Sequence, residues 1–177
     1  ASISPNIALS PAPPTGWTLV ADEVHASGDL QTRVFTRRAA AGDAGSSVQF
    51  TLSRITKVDA TVVAYSGVQA ASPIAAVATG EEAATSTTHL APSLTSVPAA
   101  SWAISYWAEK TSTSSDWVSP ADLVQRAESV GSGSGRIVSL TVDSGAPVAA
   151  GTWAGRSAVS ATAGRKVTSV SLALRPA

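Results

Sequence analysis

Cysteine is absent from this 177-residue chain, and so is methionine. The first absence removes disulfides, thiolate nucleophiles and cysteine-based zinc sites together. The second includes position 1, so the chain reads as one that begins after processing, or as a fragment. Charge is sparse and cancels: 14% of residues are charged, the net charge is zero and the pI is about 7.0. Phosphate backbones need a basic surface, so no nucleic-acid partner is expected. The two adjacent basic pairs, Arg37-Arg38 and Arg165-Lys166, read as solvated strand ends. No apolar run approaches the roughly 18 residues of a membrane-spanning helix, so no membrane insertion is expected. No charged segment followed by an apolar one opens the chain, so no signal peptide is expected.

What is present is small and apolar. Hydrophobic residues make up 44%, drawn mainly from Ala and Val, while the aromatics are two Phe, two Tyr and five Trp. That composition folds, and the length suffices for one domain with a sizeable core. Small side chains pack thin layers. The few Trp then either fill the larger gaps or lie exposed for binding. A chain rich in Ala, Ser and Thr and free of cysteine suits a protein that lasts outside a cell, and equally a product of a high-GC bacterium, so the compartment stays open.

Punctuation along the chain divides it in two. Pro5, Pro11, Pro13 and Pro14 make residues 1–15 an extended arm, because proline fixes φ and removes a donor. Residues 16–177 read as one β domain. Strands are expected over Gly16 to Val24 and Leu30 to Arg38. The stretch Val48 to Val68 is the expected centre. Val48, Phe50 and Leu52 alternate with polar residues, and Ala60 to Tyr65 is a short apolar run, so the two predict a hairpin at the middle of a sheet. Ala71 to Thr79 reads as a loose apolar segment and Gly80-Glu81-Glu82 as a turn. His89 to Leu94 reads as a short edge strand broken by Pro92. Ala100 to Lys110 is a clear strand, with Trp102, Ile104 and Tyr106 on one face and Trp107 on the other. Trp117 to Glu128 reads either as a helical turn after Ser119-Pro120 or as a turn into a strand. Arg136 to Val142, Gly151 to Ala161 and Arg165 to Arg175 complete about nine or ten strands with regular turn signals. The expected fold is all-β, an antiparallel β-sandwich of jelly-roll type.

Chemistry is harder to find. Gly131 to Gly135, GSGSG, has glycine where a nucleophile elbow needs serine, and no Lys-Ser/Thr follows as in a phosphate loop. His25 and His89 read as exposed strand-end histidines, with no metal-ligand spacing between them. Serines abound, so a Ser-His-carboxylate set has its parts without any pattern to select them. Most carboxylates fall in turns, where Asp caps backbone. No catalytic residue, metal or cofactor is expected. The tryptophans are the candidate ligand contacts, because sugar rings have apolar faces that stack on aromatic planes. Trp107, Trp117 and Trp153 are the residues expected to bind. The alternative, that all five tryptophans fill core or subunit contacts, stays open.

Several phrases, in order, carry a resemblance. They are Pro14-Thr-Gly-Trp-Thr-Leu-Val20, the strand Arg33 to Arg38 with Ala41-Gly-Asp-Ala-Gly45, Val48-Gln-Phe-Thr-Leu-Ser53, Ala64-Tyr-Ser-Gly-Val68 leading to Ser72-Pro-Ile74, and Ser171-Leu-Ala-Leu-Arg-Pro176. Together they resemble a recurrent β-sandwich domain of actinobacteria and their phages, over residues 12–176. The resemblance implies a non-enzymatic structural or attachment module of a phage particle, a minor tail or decoration protein, or alternatively a secreted carbohydrate-binding or adhesion module. Its implied partners are other virion proteins or copies of itself, and glycans of the cell envelope. Its implied location is the virion, the extracellular space or the cell surface. The chain departs from that domain at its start, where the usual apolar strand before the Pro-rich arm is missing. Either the chain is a truncated or cleaved product, or a partner supplies that strand.

Overall fold

The computed structural model describes residues 2–4, 13–52 and 55–177, and Pro5 and Pro11 of the arm lie outside them. Every regular element described is a strand, and every strand pairing is antiparallel. In chain order they are β1 Ser2–Ser4, β2 Thr18–Val24, β3 Gln31–Thr36, β4 Lys57–Asp59, β5 Ile74–Glu82, β6 Ser86–Ala91 and β7 Leu94–Val97. There follow β8 Trp102–Thr111, β9 Trp117–Val118, β10 Val124–Val130, β11 Arg136–Asp143, β12 Gly151–Trp153, β13 Arg156–Gly164 and β14 Val167–Leu174. They exceed the nine or ten expected because several are only two to four residues long, too short for alternation to reveal.

The central sheet runs β10-β11-β8-β14-β5. Against one face of it lies the sheet β6-β13-β9, extended by the pair β12-β7. The chain thus passes back and forth between two facing sheets, and its last strand is inserted between β5 and β8. That is the jelly-roll plan. The sheet β2-β3-β1-β4 covers the other face as a third layer.

The alternation in β11, Arg-Ile-Val-Ser-Leu-Thr-Val-Asp, shows why two covers are needed. Val138, Leu140 and Val142 point into the jelly-roll core with Trp107, Trp117, Ala158 and Val167. Ser139, Thr141 and Asp143 point the opposite way, where a two-layer sandwich would meet water. Here all three are buried under the third layer. The hydroxyls there bond one another. Ser139 donates to Asp59 Oδ2 at 2.6 Å, Thr32 and Thr168 meet at 2.7 Å, and Ser2 meets Thr32 at 2.5 Å and the Tyr106 hydroxyl at 2.9 Å. Each such bond contributes about 1 kcal/mol net, while an orphaned partner would cost about 1–3 kcal/mol. The interface is therefore held by matching as much as by apolar area.

Two expectations are overturned. Residues 46–52 and 60–65 form no hairpin. Only Lys57–Asp59 between them is a strand, and it is the edge strand of the third layer. The centre is already filled by β8, β11 and β14, and Val62 and Val63 stand exposed. A short apolar run does not declare what covers it. Second, residues 74–82 form neither loose chain nor turn: they are β5, paired along its length with β14. Gly80 sits inside that strand because Pro92 and Ser169 pack close to it, with room for no bulky side chain. The strand reading of residues 117–128 holds, as β9 and β10.

Candidate functional site

One end of the sandwich opens into a cleft of about 540 Å³, within the usual size of a small-ligand site. Its walls come from several parts of the chain. Residues 63–68 cross it as a strap, the start of β8 supplies Trp102, and β10 supplies Arg126, with Arg175 and Pro176 at the end of the chain. The rings of Tyr65 and Trp102 meet at 6.4 Å between centroids and tilt by 53°. Ala100, on the same wall, holds a left-handed φ of 62°, an uncommon conformation for a residue with a side chain. The tight turn Pro98 to Ser101 brings the chain into β8 there.

Arg126 is placed by an irregularity. In the β10–β11 pairing Gln125 faces Val142 and Ala127 faces Thr141, so Arg126 is the extra residue of a β-bulge. A bulge breaks the alternation and re-aims a side chain. The guanidinium reaches Asp143 at the end of β11, with Nε to Oδ2 at 2.5 Å and Nη2 to Oδ1 at 2.9 Å. The Asp143 side chain is fully buried, whereas Arg126 is 38% exposed. Tyr65 donates its hydroxyl to Oδ2, and Gly145 its backbone N–H to Oδ1, both at 2.9 Å.

The electrostatics follow from that arrangement. Burial alone pushes the Asp143 carboxyl up. The Arg126 guanidinium, the Trp102 indole, the Gly145 N–H and the Tyr65 hydroxyl outweigh it and hold the carboxyl below its ordinary range. The indole acts at longer range, since its N–H makes no hydrogen bond of normal geometry. Burial, and then the neighbouring carboxylate, push the Tyr65 hydroxyl up, so it stays a donor. Asp143 is thus a fixed anion behind the cleft, and Arg126 is a cation anchored at its mouth.

None of the three tryptophans expected to bind lies here. Trp107 is 0% exposed, in the jelly-roll core, and donates its indole N–H to the His89 carbonyl at 3.0 Å. Trp117 is 3% exposed and packs edge-on to the His89 ring. Neither offers a face to solvent, so the stacking role is corrected for both: pattern shows which side of a strand a ring takes, and here a second sheet covers that side. Trp153 is half-buried, with one flank against Leu94 and Val97 and the Arg156 guanidinium 4.5 Å over its ring. It lies outside the cleft lining. Strand periodicity does not reveal the cleft residues, because it assigns Tyr65 to a strand and Trp102 to the face of Ile104 and Tyr106. The usable signal was position: Tyr65 precedes the Ser66-Gly67 turn and Trp102 opens its strand, which sets both at the loop-bearing end of the domain.

The histidines are also corrected, since both are buried. Glu81 and Glu82, consecutive in β5, point to opposite faces of the central sheet. His25 meets Glu81 from the third layer at 3.4 Å, and His89 meets Glu82 from the jelly-roll side at 2.7 Å. Ser160 Oγ lies 3.1 Å from the other ring nitrogen of His89, which completes a Ser-His-Glu line. Ser160 is 2% exposed, however, and donates to the Thr162 carbonyl at 2.8 Å. An acyl carbon has no approach to that oxygen, so the line ties β5, β6 and β13 together. Among the described residues no group of three or more His, Asp or Glu is arranged to hold a metal ion.

Comparison with known proteins gives no matching family model, no matching curated protein and no matching solved structure.

Proposed function

We propose that this chain is a non-enzymatic attachment module that holds a saccharide in the cleft walled by Tyr65 and Trp102. The observation that carries this reading is the pairing of two aromatic rings with a guanidinium whose direction is set from behind by a buried carboxylate. Sugar rings need an apolar plane for their C–H faces and fixed polar groups for their hydroxyls. An aromatic wall with a few oriented donors supplies both. The groups around the cleft bind and orient; none of them is poised to transfer a proton.

The setting implied by the sequence resemblance is a virion, where such a module would sit on a tail or surface and touch host-envelope glycan. Ile55, which is fully exposed, and Val62, 73% exposed, are apolar side chains that another copy or another virion protein would cover with gain in an assembled setting. A secreted adhesion module would use the same cleft as a monomer.

The test is a pull-down of the chain on actinobacterial cell walls and on insoluble polysaccharides, with Trp102→Ala beside it and sedimentation run in parallel. Retention of the wild type, and its loss in a Trp102→Ala protein with an unchanged melting profile, is the expected result. No retention on any glycan, with a folded wild type, overturns the saccharide reading. A defined oligomer favours the virion setting, and a monomer favours the secreted one.

A further inference from the structure

The lining of the cleft carries cations and no acid. Arg126 and Arg175 are its only charged walls; neither Asp nor Glu is among the residues that form it. Asp143 stands behind Arg126 with no exposure, and both its oxygens are occupied by Arg126, Tyr65 and Gly145. Two guanidiniums thus line the cleft, and one buried carboxylate stands behind them.

The guanidinium atoms that remain are placed for a ligand. Asp143 takes Nε and Nη2 of Arg126, and Nη1 has no hydrogen-bond partner among the described residues. Arg175 donates through Nε to the Ser72 carbonyl at 3.3 Å, and its two Nη groups have no hydrogen-bond partner among the described residues. Guanidinium N–H pairs match the oxygens of a carboxylate or phosphate in a planar two-bond contact.

We infer that the cleft selects an anionic saccharide, one bearing a carboxylate or a phosphate, with Arg175 and the free edge of Arg126 as the anion contacts and Tyr65 and Trp102 as the ring contacts. This rests on the reading of the cleft as a saccharide site. A neutral sugar would leave the two guanidiniums to water and gain only the aromatic wall. An anion without a sugar would gain only the charge. Selectivity needs both, and the strap brings them together. Because the chain is neutral overall, the attraction is local, and no broad electrostatic field gathers polyanions onto other faces.

The experiment is titration calorimetry of the full chain with three probes: an oligogalacturonate, a glycerol-phosphate polymer carrying sugar, and a neutral cello-oligosaccharide. Dextran sulfate serves as the general polyanion. We expect at least one of the two anionic glycans to bind about ten-fold more tightly than the neutral one, a difference of one contact of this kind. Which of the two binds identifies carboxylate or phosphate as the natural group. Arg175→Gln should remove that advantage and leave weak neutral binding unchanged, with an unaltered melting profile. Arg126 is unsuitable as the first variant because its loss strips a buried carboxylate. Neutral glycan bound as tightly as the anionic ones, or no effect of Arg175→Gln, overturns the anion selectivity while the saccharide site stands. Binding of dextran sulfate that survives Trp102→Ala shows charge attraction alone and also overturns it. No binding of any glycan by the folded wild type removes both readings.

Discussion

The guanidinium of Arg126 holds the carboxylate of Asp143 through two hydrogen bonds, of 2.5 and 2.9 Å, with the arginine at the surface and the aspartate wholly inside. The pair joins a bulge in β10 to the last residue of β11, and it fixes the mouth of the cleft.

Breaking that pair from the outside should cost stability. Arg126→Ala leaves a buried carboxylate with only Tyr65 and Gly145. The buried carboxylate then lacks its counter-charge, so the variant should unfold at lower urea than wild type. Tyr65→Phe removes one hydrogen bond and should cost about 1 kcal/mol. Urea unfolding of the two single variants and the double variant measures both, and the double should fall short of their sum because they share one carboxylate.

Two buried carboxyls should pull stability in opposite directions with pH. The Asp143 pKa lies below its ordinary 3.8, so its contribution is present above that pH and is lost as pH falls through the folded value. Glu109 is the reverse. Burial, opposed more weakly by His89, Thr111, Ser114 and Arg136, raises its carboxyl above the ordinary 4.5. Its folded state keeps a proton that the unfolded chain has lost, so stability declines as pH rises from 4.5 through the folded value. Glu109→Gln should therefore be more stable than wild type at neutral pH, with the difference vanishing below pH 4.5. Asp143→Asn should flatten the acid limb. Urea midpoints across the acid and neutral range read both, and a Glu109→Gln protein weaker than wild type at neutral pH would contradict the assignment.

Gly164 is the space that Glu109 occupies. A Cβ at residue 164 would overlap Glu109 Oε1, with Cδ and Cγ also close. Gly164→Ala should cost about 1–3 kcal/mol by overpacking. Shortening the partner, as in Glu109→Ser, should recover most of that loss in the double variant. An additive result would mean that the glycine is required for some other reason.

The core tryptophan and the edge tryptophan should separate. Trp107→Ala empties the middle of the jelly-roll core and should cost about 3–5 kcal/mol. Trp153→Ala loses partial burial and a stacked guanidinium worth about 1 kcal/mol. Both rings lie outside the cleft, so glycan retention should be unchanged in whatever protein remains folded. Loss of retention in a folded Trp153→Ala protein would return the binding role to that ring.

The strands that matter most for the core were legible in the chain. Alternation marks β8, β11 and β14 and assigns Trp102, Ile104 and Tyr106 to one face and Trp107 to the other, as found. Turn residues separate them, and the lack of any long amphipathic pattern leaves only an all-β fold. These are local properties, set by the two-residue repeat of a strand and the φ preferences of Gly and Pro. What covers each face is not local. The same apolar run could be a central strand or a strap, and the burial that distinguishes them comes from chain far away in sequence. So Val63 to Tyr65 became part of the wall of a cleft, the segment around Gly80 became a central-sheet strand, and Ser139 and Thr168 turned from water to a third layer. Tyr65, Trp102, Arg126 and Asp143 share no motif. Strand order and one bulged residue bring them together, and only tertiary structure decides both.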